Sequence, residues 1–148
     1  MNISEHFTLE EFVFSEAAAR LGLDNAPDVE RTANLKSLAA FMESIRSLLD
    51  DKPIIVHSAY RSPQLNAALG GVATSAHLQG LACDFICPAF GTPAEVARKI
   101  LNSGLIYDQL ILEYGWVHVG LPQRGTAARN EALTKPSKTA PYERGINA

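Results

Sequence analysis

The chain has 148 residues, the length of one ordinary domain, and a second full domain does not fit. Hydrophobic residues make up 47% and charged residues 20%, so the composition excludes a disordered, collagen-like or coiled-coil protein. The net charge of −3 gives no general attraction to phosphate backbones or anionic lipid, and we therefore expect no nucleic-acid partner.

The amino terminus lacks the features of a secretion signal. It has neither a basic start nor an apolar core, and no apolar run in the chain approaches the roughly 20 residues of a membrane span. We therefore expect synthesis in the cytoplasm, without a signal peptide and without membrane insertion.

The two cysteines are predicted to be free thiols. Cys83 and Cys87 lie four positions apart in one predicted strand, which places their Cα atoms about 13 Å apart. A disulfide tolerates a separation of about 7 Å, so the two cannot pair. Cys83 also has the opposite strand parity to its neighbour Asp84, and we expect its side chain to face the core.

Residues 1–52 carry two helical patterns. Thr8 and Glu11 form a capping box, which predicts a helix that runs towards Arg20 and ends at Gly22. The second pattern starts after residue 27, and its apolar residues recur every three or four positions, as in a helix that packs on a core. These apolar residues are Leu35, Leu38, Met42, Ile45 and Leu49.

Residues 53–121 carry the predicted strands. Runs of β-branched and aromatic residues predict strands over residues 54–60, 81–87, 109–113 and 116–119. A short helix or loop is expected between the first two strands, and Thr92 followed by Pro93 predicts the start of a further helix. Tyr114 and Gly115 form a turn that joins the last two strands as a hairpin. This mixture, without β-α-β alternation, predicts an α+β domain with a small antiparallel sheet and flanking helices.

Residues 122–148 form a basic, loop-rich carboxyl-terminal segment. It holds five basic and two acidic residues, so the rest of the chain carries the negative excess. Residues 131–134 leave a further short element open, and the final dozen residues are expected to lack regular structure. The basic residues could contact an anionic polymer or form an ordinary solvated edge, and the sequence leaves both alternatives open.

A histidine and an aspartate form the first candidate metal site. His77 and Asp84 are seven positions apart, and Gly80 between them lets the chain turn. If the histidine lies in a loop and the aspartate at the start of a strand, both can converge on one cation. A surface hydrogen bond between the two is the alternative.

The hairpin adds a second histidine and a carboxylate. Across a two-residue turn Glu113 faces Trp116 and Ile111 faces His118, so the glutamate and the second histidine lie on the same side of the ribbon. Two imidazoles and one carboxylate leave an open fourth position on Zn²⁺, the pattern of catalytic zinc sites. Zinc lowers the pKa of a bound water to about 7, and a nearby carboxylate can carry the remaining proton to a leaving amine. Glu113 is the candidate for this carboxylate.

Three ordered motifs resemble the M15 family of zinc peptidases. They are Ser58-Ala59-Tyr60-Arg61-Ser62-Pro63, the arrangement Ser-x-His-x-x-Gly-x-Ala-x-Asp at residues 75–84, and Glu113-Tyr114-Gly115-Trp116-Val117-His118-Val119. The family comprises D-Ala-D-Ala carboxypeptidases and L-alanyl-D-glutamate endopeptidases of bacterial cell walls and phage endolysins. The similarity is strong over residues 53–121 and weaker towards both ends, which resemble the compact phage-associated branch.

The resemblance implies that His77, Asp84 and His118 hold one zinc ion per chain. It also implies that Arg61 stabilises a substrate carboxylate or the oxyanion, a task that suits a planar guanidinium group. A surface ion pair is the alternative for this arginine. Ser75 either forms a hydrogen bond near the substrate or orients its loop.

The resemblance includes one departure from the family pattern. Many members place the catalytic acid three residues before the last histidine, where this chain has Gly115. The role then passes to Glu113, five residues before that histidine, as in relatives with the longer spacing. Trp116 shares the face of His118 and either walls the substrate cleft or packs as an ordinary hairpin aromatic.

The resemblance implies a single peptidase domain over residues 1–148, with the α+β fold shared by D-alanyl-D-alanine peptidases and Hedgehog amino-terminal domains. We hypothesise a monomeric zinc metallopeptidase that hydrolyses peptidoglycan stem peptides, as a carboxypeptidase or an endopeptidase. A phage or prophage pore would release it to the cell wall. The alternative is a non-catalytic zinc-containing module of the same fold that binds cell wall, as in a virion or tail; a zinc amidase is a more distant alternative.

Overall fold

One mixed sheet of six strands organises the chain, and the computed structural model describes residues 1–148. In chain order the strands are β1 (Ile55–Ser58), β2 (Ala82–Ile86), β3 (Gln109–Leu112), β4 (Val117–Gly120), β5 (Glu131–Thr134) and β6 (Glu143–Arg144). Across the sheet they lie in the order β1-β2-β4-β3-β5-β6. Every neighbouring pair is antiparallel except β3 and β5. The predicted α+β class is confirmed at this level.

The parallel pair corrects the expectation of a purely antiparallel sheet. Strand β4 returns along one edge of β3 and ends beside its start, where Gly120 faces Gln109. The chain then crosses to the other edge of β3, where Glu131 of β5 also faces Gln109. Because β5 starts at the same end of the sheet as β3, the two strands run in the same direction.

The chain also has five α-helices and one 3-10 helix, and the first three α-helices precede β1. They are α1 (Leu9–Val13), α2 (Glu16–Leu21), α3 (Val29–Leu48), α4 (Pro63–Ala68) and α5 (Pro93–Leu101), with the 3-10 helix at Ala76–Gln79. Each α-helix follows a capping side chain that accepts a hydrogen bond from an amide in the first turn. The capping residues are Thr8, Ser15, Asp28, Ser62 and Thr92. No helix combines the length and the apolar composition that a membrane crossing needs.

The first helical pattern forms two helices rather than the single one expected up to Arg20. The backbone at Phe14 is extended, with ψ at 135°, and α1 stops there. The hydroxyl of Ser15 then accepts a hydrogen bond from the amide of Ala18 and begins α2. A serine inside a helical pattern can cap a new helix as readily as continue the old one, which explains the break. Gly22 ends α2 at φ 67°, as expected.

Helices α1, α3 and α5 pack with one face of the sheet, and their buried side chains form the hydrophobic core together. The fully buried core residues include Leu35, Leu38, Met42 and Ile45 of α3 and Cys83, Phe85, Leu110, Val117 and Val119 of the sheet. Side chains alternate across a strand, so Asp84 and His118 point to the opposite face. Both cysteines are free, as predicted, and both are buried, Cys83 in the core as expected.

The carboxyl-terminal segment is more ordered than expected. The open element at residues 131–134 is strand β5, and β6 adds a further strand within the final dozen residues. The hydroxyl of Thr134 donates a hydrogen bond of 2.7 Å to the carbonyl of Gly145 and accepts one of 2.9 Å from the amide of Asn147. These bonds tie the chain end to β5, and this long-range pairing left no periodic pattern in the sequence.

Candidate functional site

Two neighbouring strands and a 3-10 helix bring the candidate metal ligands together. Asp84 of β2 and His118 of β4 are direct partners in the antiparallel register and therefore share a face. His77 lies in the 3-10 helix that leads into β2. Gly80 ends that helix at φ 71°, a left-handed conformation that glycine adopts without steric cost. The sharp return of the chain places the first histidine over the strand that carries the aspartate.

The three side chains converge on one point. The Nδ1 atom of His118 is 2.8 Å from Oδ1 of Asp84, and Nε2 of His77 is 3.4 Å from Oδ2. One ligand atom from each residue lies within 4.8 Å of the other two, which is close enough for a shared metal ion. All three residues are buried, with 3%, 6% and 9% exposure for His77, Asp84 and His118 respectively.

The backbone determines which ring nitrogen of His77 is available. Its Nδ1 atom is 2.6 Å from the carbonyl oxygen of Ala59. A carbonyl can only accept, so Nδ1 carries the proton and donates it, and the lone pair of Nε2 points towards Asp84. Metal-binding histidines generally donate their second N–H to such an outer partner, which fixes the ring orientation.

The charges of the group suit a cation. Burial alone would raise the pKa of Asp84, but the two histidines outweigh it through charge and hydrogen bonds and hold this pKa well below its usual range. Burial lowers the pKa of His77, which favours the neutral imidazole. An ionised carboxylate and imidazole lone pairs form a donor set that Zn²⁺ accepts. The residues therefore fit a mononuclear metal site.

Arg61 lies directly beside this group rather than in a surface ion pair. Its Nη2 atom is 3.4 Å from Oδ2 of Asp84, and its Nε donates a hydrogen bond of 3.1 Å to the hydroxyl of Ser58. The amide of Arg61 donates to the carbonyl of His77, which ties the two segments together. The guanidinium group therefore faces the cleft with a fixed orientation.

Ser75 occupies the start of the 3-10 helix. Its hydroxyl accepts a hydrogen bond of 3.3 Å from the amide of His77. This contact orients the loop that carries the histidine, which is one of the two roles considered for Ser75. The serine also lines the cleft.

The hairpin has the register that the sequence predicts. Ile111 faces His118, and the amide of Glu113 donates a hydrogen bond of 3.0 Å to the carbonyl of Trp116. The indole Nε1 of Trp116 donates to the Oε2 atom of Glu113 at 3.0 Å and holds that carboxylate in place. Gly115 has φ 135°, so the turn itself requires glycine at this position.

The environment of Glu113 favours proton exchange. Burial raises its pKa, and the negative charge of Asp84 raises it further. His118, the hydrogen bond from Trp116 and the charge of Lys135 act in the opposite direction. The net effect is a raised pKa, which brings the carboxyl group closer to neutrality.

All seven predicted site residues line one open cleft of about 1170 Å³. The structure thus brings together Arg61, Ser75, His77, Asp84, Glu113, Trp116 and His118. Sequence reasoning missed one part of the lining of the cleft. The carboxyl-terminal segment supplies it through Arg129, Lys138 and Tyr142, and we call this part the carboxyl-terminal wall. The excess of basic residues in that segment was the one signal available. Arg129 is bound there by Asp108, with contacts of 3.0 and 2.7 Å.

A buried two-histidine, one-aspartate group on the floor of an open cleft defines a candidate metal-dependent hydrolase. The family model described as Peptidase M15 matches residues 5–120, most of the chain. The protein therefore belongs to the M15 peptidase family. A comparison with curated proteins finds no match.

Proposed function

We propose that the protein is a zinc-dependent peptidase that hydrolyses peptide bonds in peptidoglycan stem peptides. The observation that carries the proposal is the convergence of His77, Asp84 and His118 in the same cleft as Glu113. Family membership supports peptidase activity, and the donor set supports zinc. Whether the cleaved bond is terminal or internal to the stem decides between a carboxypeptidase and an endopeptidase.

The three buried residues would hold the metal through Nε2 of His77, a carboxylate oxygen of Asp84 and a ring nitrogen of His118. When bound, zinc supplies a Lewis acid for the scissile carbonyl and makes water a stronger nucleophile at neutral pH. The tautomer of His77 and the ionised state of Asp84 prepare the ligands for this role.

Glu113 is proposed as the general base and acid. Its raised pKa lets it accept a proton from the attacking water and return that proton to the leaving amine. The hydrogen bond from Trp116 holds one carboxylate oxygen, so the other oxygen is available for proton transfer. This division of the two oxygens is compatible with repeated protonation during turnover.

Arg61 and Trp116 are proposed to contact the substrate. Arg61 would offset the negative charge of a substrate carboxylate or of the oxyanion, because its guanidinium group already lies beside the metal ligands. Trp116 stacks edge-on against Tyr114, with 4.6 Å between ring centroids, and forms a wall of the cleft. Ser75 would orient the loop of His77.

The wider setting belongs to the same proposal. We take residues 1–148 as one peptidase domain that acts as a monomer and has the fold of D-alanyl-D-alanine peptidases and Hedgehog amino-terminal domains. The resemblance to the phage-associated branch supports a role in phage or prophage lysis. Detection of the protein in the periplasm of healthy, non-lysing cells would argue against that role.

The proposal is tested on purified peptidoglycan with zinc-loaded protein, with and without a chelator. New free amino groups and peptide fragments are expected only without the chelator, and mass spectrometry of the fragments identifies the cleaved bond. The Glu113→Gln variant is the matched control, because it retains every proposed metal ligand. Cleavage that persists after metal removal, or the absence of cleavage by the zinc-loaded protein, would refute the proposal.

A further inference from the structure

The carboxyl-terminal wall of the cleft comes from a part of the chain outside the family match. The match ends at residue 120, whereas the cleft continues along the carboxyl-terminal segment, residues 122–148. This segment is fixed to the sheet because β5 pairs with β3 and β6 pairs with β5. The wall is therefore a constant part of the site, and its side chains are placed to touch whatever enters.

We propose that Tyr142 contacts the substrate on the Glu113 side of the cleft and determines which peptide binds there. This inference rests on the proposed function and adds a specificity-determining residue to it. The residue immediately precedes β6 and lines the cleft with 55% of its surface exposed. A half-exposed aromatic side chain in a cleft offers a large contact area at a low entropic cost.

Neighbouring contacts hold Tyr142 in this position. The ammonium group of Lys135 lies 4.5 Å from the ring centroid, a cation–π contact, and donates a hydrogen bond of 2.6 Å to the carbonyl of Ala140. On the other side Glu143 faces Thr134 in the register between β6 and β5. The ring is thus anchored through its neighbours before and after it in the chain.

Lys135 links the ring of Tyr142 to the hairpin that carries Glu113: its ammonium group lies over the ring, and its amide donates a hydrogen bond of 2.8 Å to the carbonyl of Leu112. Partial burial raises the pKa of Tyr142, and the negative charges of Glu113 and Asp84 raise it further. Because Tyr142 is half-exposed in the cleft, its hydroxyl can donate a hydrogen bond to a bound molecule. A substrate carbonyl or carboxylate that passes Glu113 is the chemical group that fits.

Aromatic rings also flank Glu113 from the hairpin. Tyr114 and Trp116 form their edge-on pair within the same cleft that Tyr142 lines. An apolar side chain would contact these rings, while the adjacent carbonyl accepts a hydrogen bond from the Tyr142 hydroxyl. The substrate that fits is therefore a peptide with an apolar residue on this side of the cleaved bond.

The experiment compares zinc-loaded wild-type protein with Tyr142→Phe, Tyr142→Ala and Arg144→Ala on a soluble stem peptide. Loss of one hydrogen bond predicts a KM raised roughly 2- to 10-fold in Tyr142→Phe with kcat unchanged, and a larger rise in Tyr142→Ala. Arg144 is exposed on β6 outside the cleft, so its variant is expected to match the wild type. Lys135→Met is expected to raise KM, and Lys135→Arg to restore it, because arginine keeps the cation over the ring.

Binding provides an independent readout. Trp116 is the only tryptophan, so its fluorescence reports peptide binding to the zinc-loaded Glu113→Gln protein, with and without Tyr142→Phe. Weaker peptide binding in the double variant supports the inference, even if the wild type does not cleave the peptide. Absence of cleavage by the wild type would then refute the proposed function alone. A wild type that cleaves while both Tyr142 variants keep its KM overturns the inference alone. The inference is also overturned if Arg144→Ala raises KM as much as the Tyr142 variants do, or if the Tyr142 variants lower kcat at constant KM. A protein that neither binds nor cleaves the peptide overturns it as well.

Discussion

Replacing Asp84 with Asn removes the only carboxylate among the three candidate metal ligands. Side-chain volume is nearly unchanged, but the anionic ligand becomes a neutral amide. Loss of a mere partner of a metal ligand costs about 10- to 100-fold in metal affinity, so loss of the ligand itself is expected to cost at least about 100-fold. The variant therefore separates metal binding from the shape of the cleft.

The effect on stability follows from mass action. Zinc at about 100 times its Kd stabilises the wild-type fold by about 2.7 kcal/mol. At the same zinc concentration the Asp84→Asn protein is at or below its own Kd and gains at most about 0.4 kcal/mol. The difference of about 2.3 kcal/mol corresponds to a gap of about 5 to 9 °C in the zinc-induced shift of Tm for a chain of this size.

The assay is thermal unfolding with and without zinc, for the wild type, Asp84→Asn and the control Asp108→Asn. Asp108 is a second aspartate that lines the cleft, but it is bound by Arg129 rather than by the histidines. The control is expected to keep the full zinc-induced shift. An equal shift in wild type and Asp84→Asn would refute the assignment of Asp84 as a ligand.

Three further predictions concern the remaining charged residues of the cleft. Glu113→Gln is expected to keep the zinc-induced shift of Tm while kcat, measured by amine release, falls by about 10²- to 10⁴-fold; near-normal cleavage would assign the base elsewhere. Arg61→Ala removes a charged hydrogen-bonding group and is expected to lower kcat/KM by about 10- to 100-fold, with only partial recovery in Arg61→Lys because lysine lacks the planar fork; full recovery would contradict the geometric role. Hydrogen bonds from Arg129 lower the pKa of Asp108 in the folded protein. The stability that these bonds contribute is therefore fully present above the unfolded-state pKa of about 3.9, and it is lost as the pH falls through the lower folded-state pKa. Because Arg129 is 57% exposed, the gap between wild type and Asp108→Asn in urea unfolding is expected to be about 0 to 1 kcal/mol at pH 7 and to shrink by pH 3; a gap that widens in acid would contradict the reasoning.

Local signals in the sequence predicted much of the fold. The capping box predicted at Thr8 forms, and a helix starts after Thr92 as predicted; both caps have the reciprocal hydrogen bonds of a capping box. The turn at Gly115 and the hairpin register also form as predicted, because a two-residue turn dictates which residues face each other. These features depend on contacts between residues close in the chain, and such contacts can be read without the rest of the fold. The cap at Ser15 was equally local but was hidden inside a continuous helical pattern.

Contacts between residues far apart in the chain could not be predicted in this way. The sequence indicated His77, Asp84 and His118 as a group only through spacing and resemblance, whereas their convergence depends on the pairing of β2 with β4. The contact between Arg61 and Asp84, like the carbonyl of Ala59 that orients the first histidine, depends on how β1 packs beside β2. No periodicity within either segment encodes such contacts.

The sequence by itself determined the residue types of the site, the alternation that separates them from the core, and the turn that places Glu113 on the face of His118. Only the tertiary structure decided that β5 runs parallel to β3 and that Tyr142, in the segment after β5, lines the cleft. The physical reason is the distance along the chain between the residues in contact. Caps, turns and strand alternation arise from neighbours in the chain, whereas the carboxyl-terminal wall depends on which edge of the sheet remains free after β4 has paired.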